Sequence, residues 1–368
     1  MMTAPNLPMS QLVDPAQALW GMSLQPAGCP ACKRVFLVQP NRIGSSCPAC
    51  FQGQLASQPA WLRPEPPELL VPFGKRAADL QSLLAGFTRG VWLHADDFTP
   101  ERLIQRLRPV YVPMWLVDSD MTGNWQADTG FDYQVKSSQD SYREGRWVSH
   151  DLVETRVRWE PRLGQLKRHY DNIATPAVME YLDLSNRLGA YELSASVPYQ
   201  PAMIGAADIR IPDQQPEHAW PAAAASLERV ASEECRRAAS ADHIRQYQLA
   251  PAYTGVNWTQ LLLPLYATYY TRDDGLPETV LVNGQTGVVS GLRLASQKKG
   301  WRLTLILELL ALGAFLVGLL ATIIPPITLL GILLILASFC LATGGIVTAA
   351  WPWQWNRGQQ PRKVIRLS

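Results

Sequence analysis

The 368-residue sequence predicts an α+β protein built from three parts, and three observations support this prediction. Four cysteines near the N-terminus form two Cys-x-x-Cys pairs. The middle of the chain carries helical patterns first and strand patterns afterwards, which is typical of an α+β domain. Near the C-terminus, residues 303–350 contain a single charged side chain, Glu308. A stretch of that length and apolarity predicts helices that cross a membrane.

The cysteine segment has the spacing of a metal site. Cys29 and Cys32 form the first pair, and Cys47 and Cys50 follow after 14 intervening residues. Each pair can direct two thiolates at one ion, so both pairs together form a closed tetrahedral site with no position left for water or substrate. A strand pattern at 34–38 separates the pairs. The segment therefore predicts a zinc ribbon with one structural Zn²⁺, whose binding supplies folding energy to a module with a small core.

Composition limits the other roles of this segment. Lys33, Arg34 and Arg42 are its only basic residues, and the net charge of the chain is +2, which is too little for a strong nucleic-acid footprint. Two paired Cys-x-x-Cys turns fit a metal better than a single reactive dithiol. Cys235 and Cys340 lie far from the cluster in sequence, so the six cysteines indicate a reducing compartment and not a disulfide framework.

The body begins with helices and continues with strands. Apolar residues at three- and four-residue spacing predict a helix at 75–87. Thr99-Pro100, an N-cap followed by proline at the first helical position, predicts a second helix. Segments rich in Val, Tyr and Trp predict strands separated by polar turns. We expect strands at 109–117, 123–127, 146–150, 155–159, 246–253, 258–270 and 279–292, with a third helix from Pro221 to Ala239.

Two similar segments suggest that the body is a divergent duplication. Val112-Pro113-Met114-Trp115 and Leu263-Pro264-Leu265-Tyr266 both continue as aromatic-rich strands, and both lead to a glycine-containing turn, at Gly123 and Gly275. A proline within a strand is expected at an edge or a strand end. The segment 282–289 contains Asn-Gly and a further glycine, which predicts a β-hairpin just before the apolar stretch.

Pro325 and Pro326 divide the apolar stretch into two segments, 303–324 and 327–350. At 1.5 Å rise per residue each helix is about 33–36 Å long, enough to cross a hydrocarbon core of about 30 Å. The sequence therefore predicts a two-helix transmembrane hairpin. The alternative is a helix pair buried in a soluble core, but core helices are seldom so long and so apolar.

The charges beside the two helices predict their orientation. Basic residues precede the first helix and follow the second, whereas the turn at 324–327 carries no charge. Positively charged flanks stay in the cytoplasm, so the body and the tail are both expected on the cytoplasmic side of the plasma membrane. Residues 1–20 lack a signal-peptide pattern. The basic flanks are Lys298, Lys299, Arg302, Arg357, Arg362, Lys363 and Arg366, and tryptophans suited to the headgroup layer are Trp301, Trp351, Trp353 and Trp355.

Together these patterns predict six segments. They are a flexible N-terminus (1–23), the zinc ribbon (24–58), a proline-rich linker (59–68), the cytoplasmic α+β body (69–297), the transmembrane helical hairpin (298–356) and a basic cytoplasmic tail (357–368).

Glu308 lies between one and two turns inside the first predicted transmembrane helix. An acidic residue at membrane depth is a candidate functional site. Near the interface, however, it can also reach Arg302 or Lys299, or stay hydrated. Ala314 and Gly318, four residues apart, permit close helix packing within the hairpin or between protomers, so homo-oligomerisation through the hairpin is one expectation.

No catalytic motif is apparent in the sequence. It contains no Gly-x-x-x-x-Gly-Lys loop, no Gly-x-Ser-x-Gly elbow and no His-Glu-x-x-His. The five histidines lack ligand spacing, and His94 precedes the N-cap of the second helix. We therefore expect a non-enzymatic protein, with no catalytic residues.

Several short motifs, taken in order, resemble a group of bacterial membrane-anchor proteins. These proteins have a zinc ribbon, a cytoplasmic α+β body and C-terminal membrane spans, and they are encoded beside SPFH (flotillin-like) and phage-shock A-like proteins in membrane-stress modules. The chain differs in having one ribbon and one hairpin. The motifs that carry the resemblance are Val71-Pro72-Phe73, Gly90-Val91-Trp92, Phe98-Thr99-Pro100, Val110-Tyr111-Val112-Pro113-Met114-Trp115 and Val282-Asn283-Gly284-Gln285-Thr286-Gly287.

The resemblance implies a non-enzymatic scaffold that recruits cytoplasmic partners, of the SPFH or phage-shock A type, to the lipid bilayer. The sequence leaves two alternatives open. One is a membrane-tethered nucleic-acid-binding protein that acts through the ribbon. The other is an oligomeric channel or transporter subunit in which Glu308 lies on the ion path.

Overall fold

The computed structural model describes residues 20–58 and 65–359. The predicted N-terminus up to residue 19, linker residues 59–64 and the tail from residue 360 lie outside them. The described chain is a mixed α+β structure, as the sequence predicts. Its helices are α1 (Ala77–Thr88), α2 (Pro100–Gln105), α3 (Tyr181–Leu188), α4 (Pro201–Ile204), α5 (Pro216–Ala239), α6 (Gln297–Thr322) and α7 (Thr328–Gln359).

The strands form one sheet around two long central strands. In spatial order the main path is β11-β10-β9-β5-β8-β2-β1-β3, while β6 pairs with β5, and β4 pairs with β7 and β9. The strands are β1 (Gln25–Gly28), β2 (Val35–Val38), β3 (Ala56–Ser57), β4 (Leu69–Leu70), β5 (Arg108–Arg143), β6 (Arg146–Pro176), β7 (Val197–Pro198), β8 (Asp208–Arg210), β9 (His243–Thr271), β10 (Pro277–Asn283) and β11 (Val289–Ser290).

The predicted division of this region into short strands is wrong. The segments at 109–117 and 123–127 belong to one strand, β5, of 36 residues, and those at 146–150 and 155–159 belong to β6. Gly123 is not in a turn but lies opposite Leu166 in the β5–β6 ladder. At about 3.4 Å per residue β5 extends about 120 Å. The polar residues taken for turns are solvent-facing members of these strands.

Beyond Gly130, strands β5 and β6 continue as a two-stranded ribbon that we call the β-arm (residues 131–158). Gly130 is the last β5 residue paired with β9, at His243. From there the ladder runs from Phe131↔Arg158 to Arg143↔Arg146. A two-residue turn closes it, with φ of 50° at Glu144 and 81° at Gly145, as a type I′ hairpin requires. Residues 131–143 at about 3.4 Å each give the arm a length of about 44 Å.

Helix α5 covers one face of the sheet as far as the base of the β-arm. Its buried residues recur every fourth position, so one narrow stripe faces the strands. Ala223, Leu227 and Ala231 pack there against Met121 and Tyr170. The small side chains permit a close approach of helix and sheet. The full stripe is Ala219, Ala223, Leu227, Ala231, Cys235 and Ala239.

Pro113 and Pro264 lie inside their strands and not at edges or ends. Along β5, the partner on one side changes from β8, paired at Tyr111, to β6, paired from Met114. Along β9 it changes from β4, paired at Leu262, to β10, paired from Leu265. Each proline therefore occupies the gap where one neighbour ends and the next begins, so its missing N–H does not interrupt a ladder there. The duplication stays a hypothesis.

The hairpin predicted at 282–289 is present. Val282 pairs with Val289 across the ladder of β10 and β11. Asn283 Oδ1 accepts hydrogen bonds from the backbone N–H of Gln285 and Thr286, both at 3.0 Å. Gly287 has φ of 85°, which favours glycine. The loop is longer than a two-residue Asn-Gly turn, and a chain of hydrogen bonds from Asn283 holds it.

Candidate metal centre and exposed surfaces

The four predicted cysteine ligands meet at one point. Sγ of Cys29 lies 3.6 Å from Sγ of Cys50, and Sγ of Cys32 lies 3.7 Å from Sγ of Cys47. All four sulfur atoms lie within 4.8 Å of one another. Cys29 and Cys47 are buried, and the other two are half-buried. Four thiolates at these distances could hold one metal ion and would leave it no open coordination position.

Backbone amides around the sulfur atoms favour the thiolate form at part of the cluster. Burial raises the pKa of the Cys29 thiol, but the amides of Cys32 and Ala31 outweigh it and bring the pKa down to about 7. Burial dominates at Cys47 and raises its pKa, although the N–H of Ala49 lies 3.4 Å from its Sγ. A cation bound among the sulfur atoms would offset the cost of holding charged thiolates in a buried position.

The cysteine segment, residues 25–57, is an integral part of the central sheet. Strand β2 pairs with β8, with Phe36 opposite Arg210 and Leu37 opposite Ile209. The ring of Phe51 stacks on Tyr269 at a centroid distance of 4.6 Å. The cysteines share one apolar cluster with residues of β5, β9 and β10. The segment therefore has a larger core than its own 33 residues supply.

The basic side chains of this segment are engaged by acidic residues of the body. Arg34 Nε lies 2.9 Å from Glu180 Oε1. Arg42 Nη2 lies 2.9 Å from Asp208 Oδ2, and the Asp208 side chain is buried. A phosphate backbone would have to displace these partners. Ion pairing therefore weakens the nucleic-acid alternative, in which Arg34 and Arg42 supply the positive charge.

A cavity of about 210 Å³ lies between the cysteine segment and the body. Phe36, Val110 and Leu265 contribute to its apolar lining, and Arg187 and Arg210 are among its charged residues. Arg210 contacts Asp213 at 2.5 Å. Glu180 pairs with Arg34 and Asp183 with Arg187 in the same lining, so its charges are largely balanced and favour neither an anionic nor a cationic ligand.

Helices α6 and α7 are long and apolar enough to cross a membrane. Their most apolar windows have mean hydropathies of 2.5 and 2.4, and only 17% of each window is buried in the structure. A helix in the core of a soluble protein would be mostly buried. The two helices therefore present apolar side chains outward along most of their length.

Small residues line the contact between these two helices at seven-residue intervals. On α6 they are Thr304, Ala311 and Gly318, and on α7 they include Gly331 and Gly345. A Cβ atom at Gly318 would lie 2.9 Å from the carbonyl oxygen of Gly331. Thr304 Oγ1 lies 2.8 Å from Thr348 Oγ1 and donates to the oxygen of Gly345 at 3.0 Å. Close backbone approach and hydrogen bonds thus hold the pair together.

Glu308 lies in this contact, against the backbone of Gly345 on the neighbouring helix. Of the two basic residues considered as its partners, Lys299 pairs elsewhere: its Nζ lies 2.6 Å from Asp96 Oδ1. The Glu308 side chain is half-buried, one turn beyond Thr304. A side chain at Gly345 would collide with this carboxylate, so glycine there makes room for it.

The apolar helices are fixed to the base of the body. Trp355 Nε1 donates to the Arg293 oxygen at 2.6 Å, and Asn356 exchanges two hydrogen bonds with the backbone of Ala295. The ring of Trp351 stacks on Trp355 and meets Trp92 edge-on. Trp351 and Trp355 therefore bind the body, and only part of the predicted tryptophan set is left for the headgroup layer.

One face of the β-arm is lined with exposed apolar side chains. Paired residues share a face of a sheet and alternate residues return to it, so the ladder places five such residues together. Near the turn, two of these rings meet at a centroid distance of 5.4 Å. The predictions from sequence did not include this surface, because polar residues separate most of its apolar positions. Four of the five lie in the arm, namely Tyr142 (61% exposed), Trp147 (72%), Val153 (53%) and Val157 (37%); the fifth, Trp159 (36%), lies just below its base, with the Arg245 guanidinium 3.9 Å from its ring centroid.

The chain matches no protein-family model, no curated protein and no solved structure.

Proposed function

We propose that this chain is a non-enzymatic, membrane-anchored zinc-ribbon scaffold that presents the β-arm to cytoplasmic proteins. The exposed apolar face of the arm carries the proposal. Exposed apolar patches on soluble parts of proteins mark interaction sites. Tyr142 and Trp147 are aromatic residues of the kind enriched at protein interfaces. The end of β9 that packs near Trp351 and Trp355 is opposite to the end that approaches the arm, so the arm projects away from the anchor.

Zinc is the metal that fits the cysteine cluster best. In a tetrahedral site with Zn–S bonds of about 2.3 Å, sulfur atoms are separated by about 3.8 Å. The pairs Cys29–Cys50 and Cys32–Cys47, at 3.6 and 3.7 Å, are close to this separation. Because four thiolates complete the coordination, the ion has a structural role and holds the ribbon on the central sheet.

The partners suggested by the resemblance are SPFH or phage-shock A-like proteins. Such a partner would contact the apolar face of the β-arm, while α6 and α7 hold the complex at the bilayer. The contacts at Arg293 and Ala295 make the anchor continuous with the body and not a loose tether. The arm therefore keeps a defined position relative to the membrane.

Replacing Tyr142 and Trp147 by serine should remove most partner binding. The change deletes the two most exposed aromatic residues of the arm and leaves its turn intact. Full-length chain is extracted from membranes in mild detergent, and co-purifying proteins are quantified by mass spectrometry. We expect a loss of at least about tenfold, since deleting an interface anchor typically costs about 2 kcal/mol or more. Leu152→Ser, on the opposite face of β6, is the matched control, and equal losses in both variants would contradict the proposal.

The proposed topology places the turn at Pro325-Pro326 outside the cytoplasm. A Pro326→Cys variant in a Cys340→Ala background should react with a membrane-impermeant thiol reagent added to intact spheroplasts. A cysteine at Gln285, in the body, should react only after lysis, because Gln285 belongs to the cytoplasmic side. Labelling of the body in sealed spheroplasts would refute the orientation.

A further inference from the structure

The β-arm has an unsatisfied outer edge on strand β6. In the part of the chain that the structure describes, β6 pairs with β5 alone. A free strand edge presents unpaired backbone N–H and C=O groups and is a template for another strand. A two-stranded ribbon without a core is also only marginally stable by itself in water. The arm therefore has unpaired backbone groups that can bind a third strand, and pairing with one would increase its stability.

The side chains along this edge alternate in charge. Arg156 Nη2 lies 3.0 Å from Glu154 Oε2, and Arg158 Nε lies 2.9 Å from Glu160 Oε1. All four residues lie on one face, since they are spaced by two. Charged edges prevent indiscriminate pairing, and they admit a strand only where its charges are complementary.

We propose that β6 pairs antiparallel with β6 of a second copy of this chain, about a two-fold axis at Thr155. In this register Glu154 faces Arg156 of the other copy, and the symmetry repeats the pair. Val153 faces Val157, and His150 faces Glu160 at each end of the ladder. Opposite charges directly across a ladder are stabilising, and so are pairs of β-branched residues.

Most of the other symmetric registers nearby are disfavoured by their charges. A two-fold axis at Glu154, Arg156 or Arg158 places that charged side chain directly opposite the same side chain of the second copy. Centring it on Val157 places Arg156 against Arg158 and Glu154 against Glu160. Like charges directly opposite are destabilising. A register centred on Val153 sets Leu152 against Glu154 and His150 against Arg156, so it loses both Glu154–Arg156 pairs, although it sets Arg146 against Glu160. The Thr155 register keeps those two pairs and sets Leu152 against Arg158.

The same register accounts for an isolated apolar side chain. Leu163 is 80% exposed on the face of β6 that also carries Trp147. In the Thr155 register, Leu163 lies opposite Trp147 of the second copy, so each exposed residue gains an apolar neighbour. Backbone pairing runs from His150 to Glu160 and is interrupted at Pro161, which has no N–H to donate, so Leu163 and Trp147 meet just beyond the end of the ladder.

Pairing through β6 joins two arms into a four-stranded sheet in the order β5-β6-β6-β5. Antiparallel geometry places the two apolar helix pairs at opposite ends of this sheet, so the pairing joins chains anchored in two facing bilayers, or chains in detergent, and needs no contact between the helix pairs. The apolar faces of both arms lie on the same side and become continuous. This goes beyond the proposed scaffold, because it requires no other protein, and purified chain alone is enough to test it.

The two-fold axis at Thr155 makes the register testable with one cysteine. In a Cys340→Ala background, Thr155→Cys places two thiols across the ladder, at a Cα separation of about 4.5–5.5 Å, within the range for a disulfide. Gln134→Cys is the matched control, because Gln134 is exposed and lies opposite Thr155 on β5. Its two copies would be three strand spacings apart, about 14 Å.

Both variants are purified as zinc-loaded chains in detergent and oxidised. We expect the disulfide-linked dimer to be at least about tenfold more abundant with Thr155→Cys than with Gln134→Cys, because about 14 Å exceeds the reach of a disulfide. Equal crosslinking of both variants, or none with Thr155→Cys, would overturn the proposal. Preferential crosslinking of Val153→Cys would overturn the register.

A charge exchange provides an independent test by sedimentation or mass photometry. Glu154→Arg alone sets two cations opposite each other and should abolish the dimer, and Arg156→Glu alone should do the same with two anions. The double variant restores complementarity and should restore the dimer. Failure of the double variant to recover, or persistence of the dimer in both single variants, would overturn the proposal. Loss of a co-purifying partner with an intact dimer would instead count only against the scaffold function.

Discussion

Replacement of Cys47 by serine should abolish metal binding and lower the stability of the whole body. Cys47 is fully buried, and its Sγ lies 3.7 Å from that of Cys32. Structural zinc contributes about 10–16 kcal/mol of apparent binding free energy in small zinc modules. The net stability of a domain is only about 5–15 kcal/mol. Loss of one ligand in four is therefore expected to unfold the cysteine segment.

The effect should spread beyond that segment because it shares its core with the sheet. Phe36 and Phe51 would leave contacts with Val110, Leu265 and Tyr269, and β8 would lose its partner β2. Metal content measured by elemental analysis should fall from one ion per chain to none, and thermal unfolding should begin at a lower temperature. A chelator should reproduce both effects in the unaltered chain.

Cys340→Ser is the matched control for this experiment. Cys340 is exposed on α7 and lies outside the cluster, so the same chemical change there should leave metal content unchanged. If Cys47→Ser kept one bound ion and an unaltered melting curve, the cluster would not be the metal site. Loss of metal without loss of stability would show that the sheet holds the segment without help from the ion.

The cysteine cluster and the apolar helices could be predicted from sequence because both depend on local pattern. Cys29, Cys32, Cys47 and Cys50 need only two tight turns and one intervening hairpin to meet. The apolar stretch needs only its length and composition. Neither feature depends on which distant strands pair, so the sequence contains almost all of the required information.

The β-arm could not be predicted in the same way. Residues such as Ser137, Ser138 and Gln139 are exposed in the structure, so no apolar alternation indicates a strand there. They are extended because the Glu144-Gly145 turn aligns β5 with β6 and the ladder continues through every pair. The change of neighbouring strand at Pro113 and at Pro264 could not be predicted for a related reason. It depends on where β4, β6, β8 and β10 begin and end, which local sequence does not determine.

The position of Glu308 shows the difference between a local and a tertiary prediction. Sequence places Glu308 near Arg302 and Lys299 on the same helix and leaves open whether it reaches either of them or stays hydrated. In the structure Asp96, from the loop before α2, forms an ion pair with Lys299. Glu308 is therefore left beside Gly345, in a contact that only the packing of two helices can define.

Substitution of Gly318 by leucine should separate α6 from α7 and destabilise the anchor. A Cβ there would lie 2.9 Å from the oxygen of Gly331 and 3.1 Å from the amide nitrogen of Ile335. Backbone atoms cannot rotate away as a side chain can, so the helices must move apart. Overpacking typically costs about 1–3 kcal/mol, and separation would also weaken the hydrogen bond between Thr304 and Thr348. We expect a lower temperature of aggregation in detergent, measured by size exclusion after heating.

Gly313→Leu separates this packing effect from a change in apolarity. Gly313 lies on the same helix, five residues away, and a Cβ there would meet no atom within 4 Å. Both variants add the same side chain to α6, so both should insert into the membrane equally well. In an exposed position leucine should be neutral or stabilise the helix by about 0.5–1 kcal/mol relative to glycine. If both variants shifted the aggregation temperature equally, lipid or detergent would be setting the stability of α6. A drop confined to Gly318→Leu would instead assign Gly318 to the contact within one chain, which makes it unavailable for joining protomers.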